Sequence, residues 1–220
     1  MGKIPKDTAE TGLQFFGRLA ASISHELKNV LAIINENAGL LEDFAFLAEK
    51  GKPIDPERLK LMAAAVQKQI GRADHILKNM NRFAHSTDER VAAVDLGQLL
   101  ELVISLTERF AARQRVNVAL KLPPDSPTIT TVPFYLINLI CLCLDFSMSA
   151  AGDGKRLELT IANTADAVFI HFSRLTGLTP EMLEAFPSES EKNLLAILAA
   201  DLTGQPDSKK ITLRLPNTLE

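Results

Sequence analysis

One pattern constrains this chain more than any other. From Phe16 onward apolar residues recur at Phe16, Ala20, Ile23, Leu27, Val30 and Ile34, then at Leu41, Phe44 and Ala48. The steps alternate four and three, with Asn37 in the single gap, so the stripe follows a heptad repeat. A helix of this kind must bury its stripe against another helix. "EKGKPIDPER" follows, and its glycine and prolines mark a turn, with Asp55 as N-cap and Pro56 at N1 of the next helix. A second helix is expected from Pro56 to His85, with Leu59, Met62, Val66, Ile70, Ala73, Leu77, Met80 and Ala84 at the same spacing. Two such helices form an antiparallel hairpin, which cannot cover both stripes by itself. The expected solution is a four-helix bundle made by pairing two copies of the chain, a homodimer.

The pattern changes after "HSTDERVAAVDL", so a domain boundary is expected between Asp88 and Val94. Helices are expected over Leu96–Arg113 and Pro133–Ala150. Strands are expected in "RVNVALKL" and "TITTV", then in "RLELTIANT" and "AVFIHFSR", which meet at a tight turn near Ala165 and Asp166. Two further helices are expected over Thr179–Phe186 and Glu189–Leu202, and "KKITLRLP" closes the chain as a strand. The fold class is therefore α plus α/β, a helical hairpin over residues 1–90 and an α/β sandwich over residues 91–220.

Composition excludes several functions. Net charge is −3 and the chain has no Trp and one Tyr, so neither a basic footprint nor a set of stacking platforms for nucleic acid is present. The N-terminal stretch lacks the apolar core of a signal peptide, and the longest apolar run, Phe134–Leu144, is too short to cross a membrane. Cys141 and Cys143 lie two apart in that run and point to different sides of a helix. They read as buried free thiols, not as a metal site or disulfide framework, in a protein expected to be cytoplasmic.

His25 falls at heptad position f when Ala20, Leu27 and Ile34 occupy a, so it should be exposed. Arg18, Ala21, Ser22, Asn29 and Ala32 are expected on the same face, mostly small and uncharged, with room for another protein surface. An imidazole is a good nucleophile at neutral pH. Glu26 is a candidate to orient the ring or accept its proton. Asn29, one turn on, is a candidate to position a water or a phosphoryl group. Arg18, Ser22 and Lys28 are candidates for partner docking.

"SISHELKNVLAII" resembles the H-box of bacterial two-component sensor histidine kinases, with Ser22 three before His25, then Glu26, Leu27, Lys28 and Asn29. Val30 stands where that family usually has proline. The hairpin resembles the family's dimerisation and phosphotransfer domain, and "VDL" with the later α/β order resembles its ATP-binding domain. The resemblance implies that His25 accepts a phosphoryl group, and His25 to Asn29 also matches a pattern linked to phosphatase activity.

The family's nucleotide motifs are degraded. Asn138 and Asp145 fit the asparagine-rich helix, but Leu142 stands at the Mg²⁺-binding position, and leucine cannot ligate a hard cation. "SRLTG" has Ser173 for the adenine-reading Asp and Leu175 for a glycine, keeping only Gly177. "KNLLAIL" has Lys192 and Leu194 where glycines belong, and Ala185–Asn193 reads as a shortened lid. The chain therefore resembles the dimeric histidine phosphotransferases of bacterial phosphorelays, which keep a degenerate ATP-binding domain. Implied is phosphoryl transfer between response-regulator receivers through His25, with no ATP and no cofactor of its own, the receiver bringing Mg²⁺. One alternative is a pseudokinase that binds and regulates a histidine kinase or response regulator. Another is an active kinase with an atypical nucleotide site. Of the other histidines, His75 reads as solvated or capping, His85 as a helix-end cation and His171 as packed in a strand.

Overall fold

The computed structural model describes the backbone of residues 6–219 and the side chains of residues 10–219. The described residues divide into two compact units, Gly17–Asn81 and a second made of the chain up to Phe16 together with the chain from Arg82 onward. Helix α1 runs unbroken over Lys6–Glu49 and helix α2 over Pro56–Ala84. Asp55 caps α2, its carboxylate accepting the Glu57 amide at 3.0 Å, and Pro56 takes N1, where its missing N–H has no cost.

Within the hairpin unit the heptad stripe is split. Ile23 and Val30 are buried, joined by Leu19 and Ser22, which the heptad assignment leaves outside the seam. Ala20, Leu27 and Ile34 are only half-buried, and Leu41 is exposed. The seam between α1 and α2 thus runs through the 19/23/30 side. The rest of the stripe is half-buried or exposed on this single chain. Asn37, the gap in the repeat, turns its amide back to the Ile33 carbonyl at 2.8 Å.

In the second unit, strands β1 (Ala92–Asp95) and β3 (Thr128–Thr131) pair antiparallel. Five strands form the main sheet: β2 (Asn117–Lys121), β4 (Arg156–Asn163), β5 (Ala167–Ser173), β6 (Asp201–Gln205) and β7 (Lys210–Pro216). Their order is β2-β4-β5-β7-β6, with β2 and β4 parallel and the other pairs antiparallel. Helices α3 (Leu96–Gln114), α4 (Pro133–Ser149), α5 (Pro180–Ala185) and α6 (Glu189–Ile197) complete it. Period-two alternation sends Leu157 and Leu159, Val168, Ile170 and Phe172, and Ile211, Leu213 and Leu215 to one buried face. Helix α4 is apolar nearly all round and carries Leu136, Leu139, Ile140, Cys143 and Leu144 into the core. Full burial of each such side chain contributes about 1.5–3 kcal/mol.

A ring cluster joins the ends of the long helices to α4 inside this unit. Phe15 meets Phe83 edge-on at 5.7 Å, Phe16 stacks on Phe83 at 5.5 Å, and Phe134 lies 6.0 Å from both Phe15 and Phe83. Among the described residues no helix is long and apolar enough to cross a membrane.

One expectation fails. The sequence predicts helix to Leu202, but α6 stops at Ile197, and Ala199 turns left-handed at φ 48°. Asp201–Gln205 is instead edge strand β6, paired with β7. "LLAILAADL" keeps a helical apolar period through the break, and an edge strand with mostly exposed side chains shows little alternation. Gly204 packs under the Leu183 side chain of α5, which a Cβ there would have to displace.

Candidate functional site

The hairpin unit carries the candidate phosphoacceptor. His25 is exposed on α1, and Asn29 is exposed one turn further along. Arg18 and Lys28 are exposed as well. Helix α1 passes Val30, fully buried, without interruption. Two expected neighbours behave differently. Ser22 is 7% exposed and its hydroxyl is buried without a hydrogen-bond partner, so it faces the inter-helix seam and presents nothing to a docking protein. The Glu26 side chain is 16% exposed and turned toward α2, where Arg72 Nη2 lies 3.9 Å from its Oε2.

Arg72 is absent from the sequence reading. It lies off the apolar stripe Leu59–Ala84, and only the pairing of the two helices brings it opposite Glu26. An antiparallel pairing of 26 with 72 would have been the signal. His75 is exposed, its Nε2 2.9 Å from Asn79 Nδ2 one turn away, and His85 Nδ1 lies 2.7 Å from Asp88 Oδ2 at the end of α2. Both are engaged locally.

The second unit holds the residues that align with nucleotide motifs. Asn138 on α4 is completely buried with neither side-chain polar atom paired, and Leu142 follows one turn later. Asp145 is exposed and accepts a hydrogen bond from Gln114 Nε2 at 3.2 Å. Ser173 closes β5 and donates its hydroxyl to the Glu158 carbonyl at 3.1 Å. Leu175 is fully buried, held by its amide on the Lys209 carbonyl at 2.9 Å. Gly177 donates to the Ala150 carbonyl at 2.9 Å and packs on Gly152, where a Cβ on Gly177 would approach the Gly152 Cα to 3.1 Å. This glycine serves chain-to-chain packing. Leu194 is 1% exposed, and Lys192 pairs with Glu189 at 2.9 Å.

The lid-equivalent segment is folded. Ser188 caps α6 in a capping box with Glu191, whose carboxylate accepts the Ser188 amide at 2.8 Å and also contacts the Ser188 hydroxyl. Phe186 stacks on Phe146 of α4. Within this segment Glu189 and Glu191 stand against Lys192, and Glu181 and Glu184 lie just before it on α5. The Thr179 hydroxyl and its own backbone amide hold the Glu181 carboxyl below the usual range. Cys141 and Cys143 are buried and not joined in a disulfide. Burial, and then the Glu191 carboxylate, push the Cys143 thiol far up, so it stays protonated and inert.

These residues do not fit Mg²⁺ and a nucleotide. Leu142 offers no oxygen, the buried Asn138 amide is closed off from solvent, and buried leucines, Leu175 and Leu194, stand at the glycine positions.

Comparison of folds gives a consistent placement. The nucleotide-free catalytic domain of the histidine kinase ThkA superposes with a TM-score of 0.50 at 11% identity, covering 59% of this chain and 97% of that one. The second unit has the fold of a histidine-kinase catalytic domain. Lower scores, 0.48 and 0.49, are found for the Acinetobacter baumannii histidine kinase AdeS and for ThkA in complex with the response regulator TrrA. The first is 13% identical over 88% of this chain and 98% of that one, and the second 16% identical over 96% and 64%. No protein-family model matches the sequence, and no curated protein matches it. The histidine-kinase-like fold agrees with the expected fold class, a helical region followed by an α/β sheet domain.

Proposed function

We propose that this chain is a histidine phosphotransferase of a two-component phosphorelay. His25 takes a phosphoryl group from an aspartyl phosphate on one receiver domain and delivers it to an aspartate on another. The Nε2 lone pair of the neutral ring attacks phosphorus, and the Nε2–P bond forms as the P–O bond to the aspartate breaks. The electron pair leaves on the aspartate carboxylate, and the ring keeps its Nδ1 proton. Transfer to the second receiver reverses these steps. Asn29 offers amide donors to the phosphoryl oxygens from the same exposed face, and Arg18 and Lys28 offer charge to the approaching receiver. Mg²⁺ belongs to the receiver.

The observation that carries this reading is a contrast between the two units. His25 is open to a partner, whereas Leu175 and Leu194, at the glycine positions of a nucleotide site, are 0% and 1% exposed. A homodimer belongs to the same proposal. The hairpin unit leaves Leu31 61%, Phe46 55%, Leu61 70% and Ile70 49% exposed, more apolar surface than a lone hairpin tolerates in water. The fold likeness to the ThkA catalytic domain favours a second reading, an ATP-dependent kinase with an atypical nucleotide site. The test is transfer of label from a panel of receiver domains charged with acetyl phosphate. Acid-labile label should appear on the wild-type chain and be absent from His25→Gln. Receivers that keep their phosphate in the presence of wild-type chain would overturn the reading.

A further inference from the structure

The cross-helix pair between Glu26 and Arg72 has no evident structural purpose. Arg72 is 53% exposed and the separation is 3.9 Å, so the pair adds little to stability. Glu26 itself is unusual, because the residue next to the phosphoacceptor is turned into the seam and left 16% exposed. A carboxylate held there keeps its charge and direction only with a cation or donors beside it. The seam is otherwise apolar, through Leu19, Ile23 and Val30, yet it also holds polar groups where apolar contacts would stabilise it more. The Ser22 hydroxyl, one turn before Glu26, is buried without a partner, and so is Gln69 Oε1, one turn before Arg72. Packing therefore does not explain why this layer is polar.

We propose that Arg72 is a positioning residue for phosphoryl transfer at His25. This rests on the reading of His25 as phosphoacceptor and adds a residue from the other helix to that site. The guanidinium fixes the Glu26 carboxylate on α1, so that the negative charge next in sequence to His25 has one location as the ring becomes cationic on bonding to phosphorus. Arginine suits this task because it stays charged and reaches the carboxylate from a surface position, 3.9 Å away. Lysine at the same place would keep the charge that the pairing needs.

Phosphoramidate tests this without a receiver. It transfers its phosphoryl group to His25 Nε2 as its P–N bond breaks and ammonia leaves with the proton. The full-length chain, Arg72→Met, Arg72→Lys, Glu26→Gln and the double variant Arg72→Met/Glu26→Gln are compared by phosphohistidine yield over time and by thermal melting. Arg72→Met should slow phosphorylation by about ten-fold with an unchanged melting curve, and Arg72→Lys should recover most of the rate. The double variant should be no slower than Glu26→Gln alone, since Arg72 acts through Glu26. Equal rates for wild type and Arg72→Met would overturn this inference and leave the phosphoacceptor reading standing. Independent, multiplying losses in the double variant would also overturn it. No phosphohistidine on the wild-type chain would overturn both.

Discussion

The rings of Phe146 on α4 and Phe186, between α5 and α6, lie 4.2 Å apart and within 7° of parallel. Together with the Ser188 capping box, this stack fastens onto the core the segment that a kinase would need as a movable lid. Phe186→Ala should therefore loosen the segment and cost about 1–3 kcal/mol, read by urea denaturation. It should not create ATP affinity in calorimetry, because Leu142, Leu175 and Leu194 remain. Micromolar ATP binding by this variant would mean that a working site is merely covered.

The exposed part of the hairpin's apolar stripe makes the dimer testable at one residue. Ile70 is 49% exposed on α2 and makes little use of its surface within a single chain. Ile70→Lys should convert a dimer to monomers at micromolar concentration in sedimentation equilibrium, since a charge in a bundle core costs several kcal/mol without a partner. A wild-type chain that sediments as a monomer would contradict the bundle.

Asn138 gives a prediction of opposite sign. Its amide is fully buried with both polar atoms unpaired, an arrangement that costs about 1–3 kcal/mol. Asn138→Leu, close in volume, should raise stability by about that amount in chemical denaturation. A large loss instead would show that the amide has a partner in solution.

His171 sets a mild acid sensitivity. It is half-buried beside Thr212, whose hydroxyl lies 3.0 Å from Nδ1, and burial, then the Lys210 charge, push its pKa below the ordinary 6.5. The unfolded chain thus takes up this proton more readily than the folded one. Stability should be level above pH 6.5 and fall as pH drops below it toward the lower folded value. His171→Gln should flatten that part of a pH–stability profile, and an unchanged slope would remove His171 from the account.

Periodicity made both long helices legible, including the Asp55–Pro56 start of α2. Alternation made β4, β5 and β7 legible. Strand β6 was hidden because apolar spacing continued through the left-handed turn at Ala199, a choice made by pairing with β7 and by the fit of Gly204 under Leu183. At the site, the exposure of His25 followed from its heptad position. The inward turn of Ser22 and the Glu26–Arg72 pair did not, because one helix cannot reveal which side of its stripe the other will take. The split of that stripe, with Leu19 and Ser22 inside and Leu41 outside, is a property of two helices together.

The source of the phosphate on His25 decides the account most directly. The wild-type chain is incubated with Mg²⁺ and γ-labelled ATP, and separately with receivers labelled on aspartate, and phosphohistidine is mapped by mass spectrometry. Label should reach His25 from a receiver and not from ATP. Label on His25 from ATP alone would contradict the phosphotransferase reading and establish an active kinase.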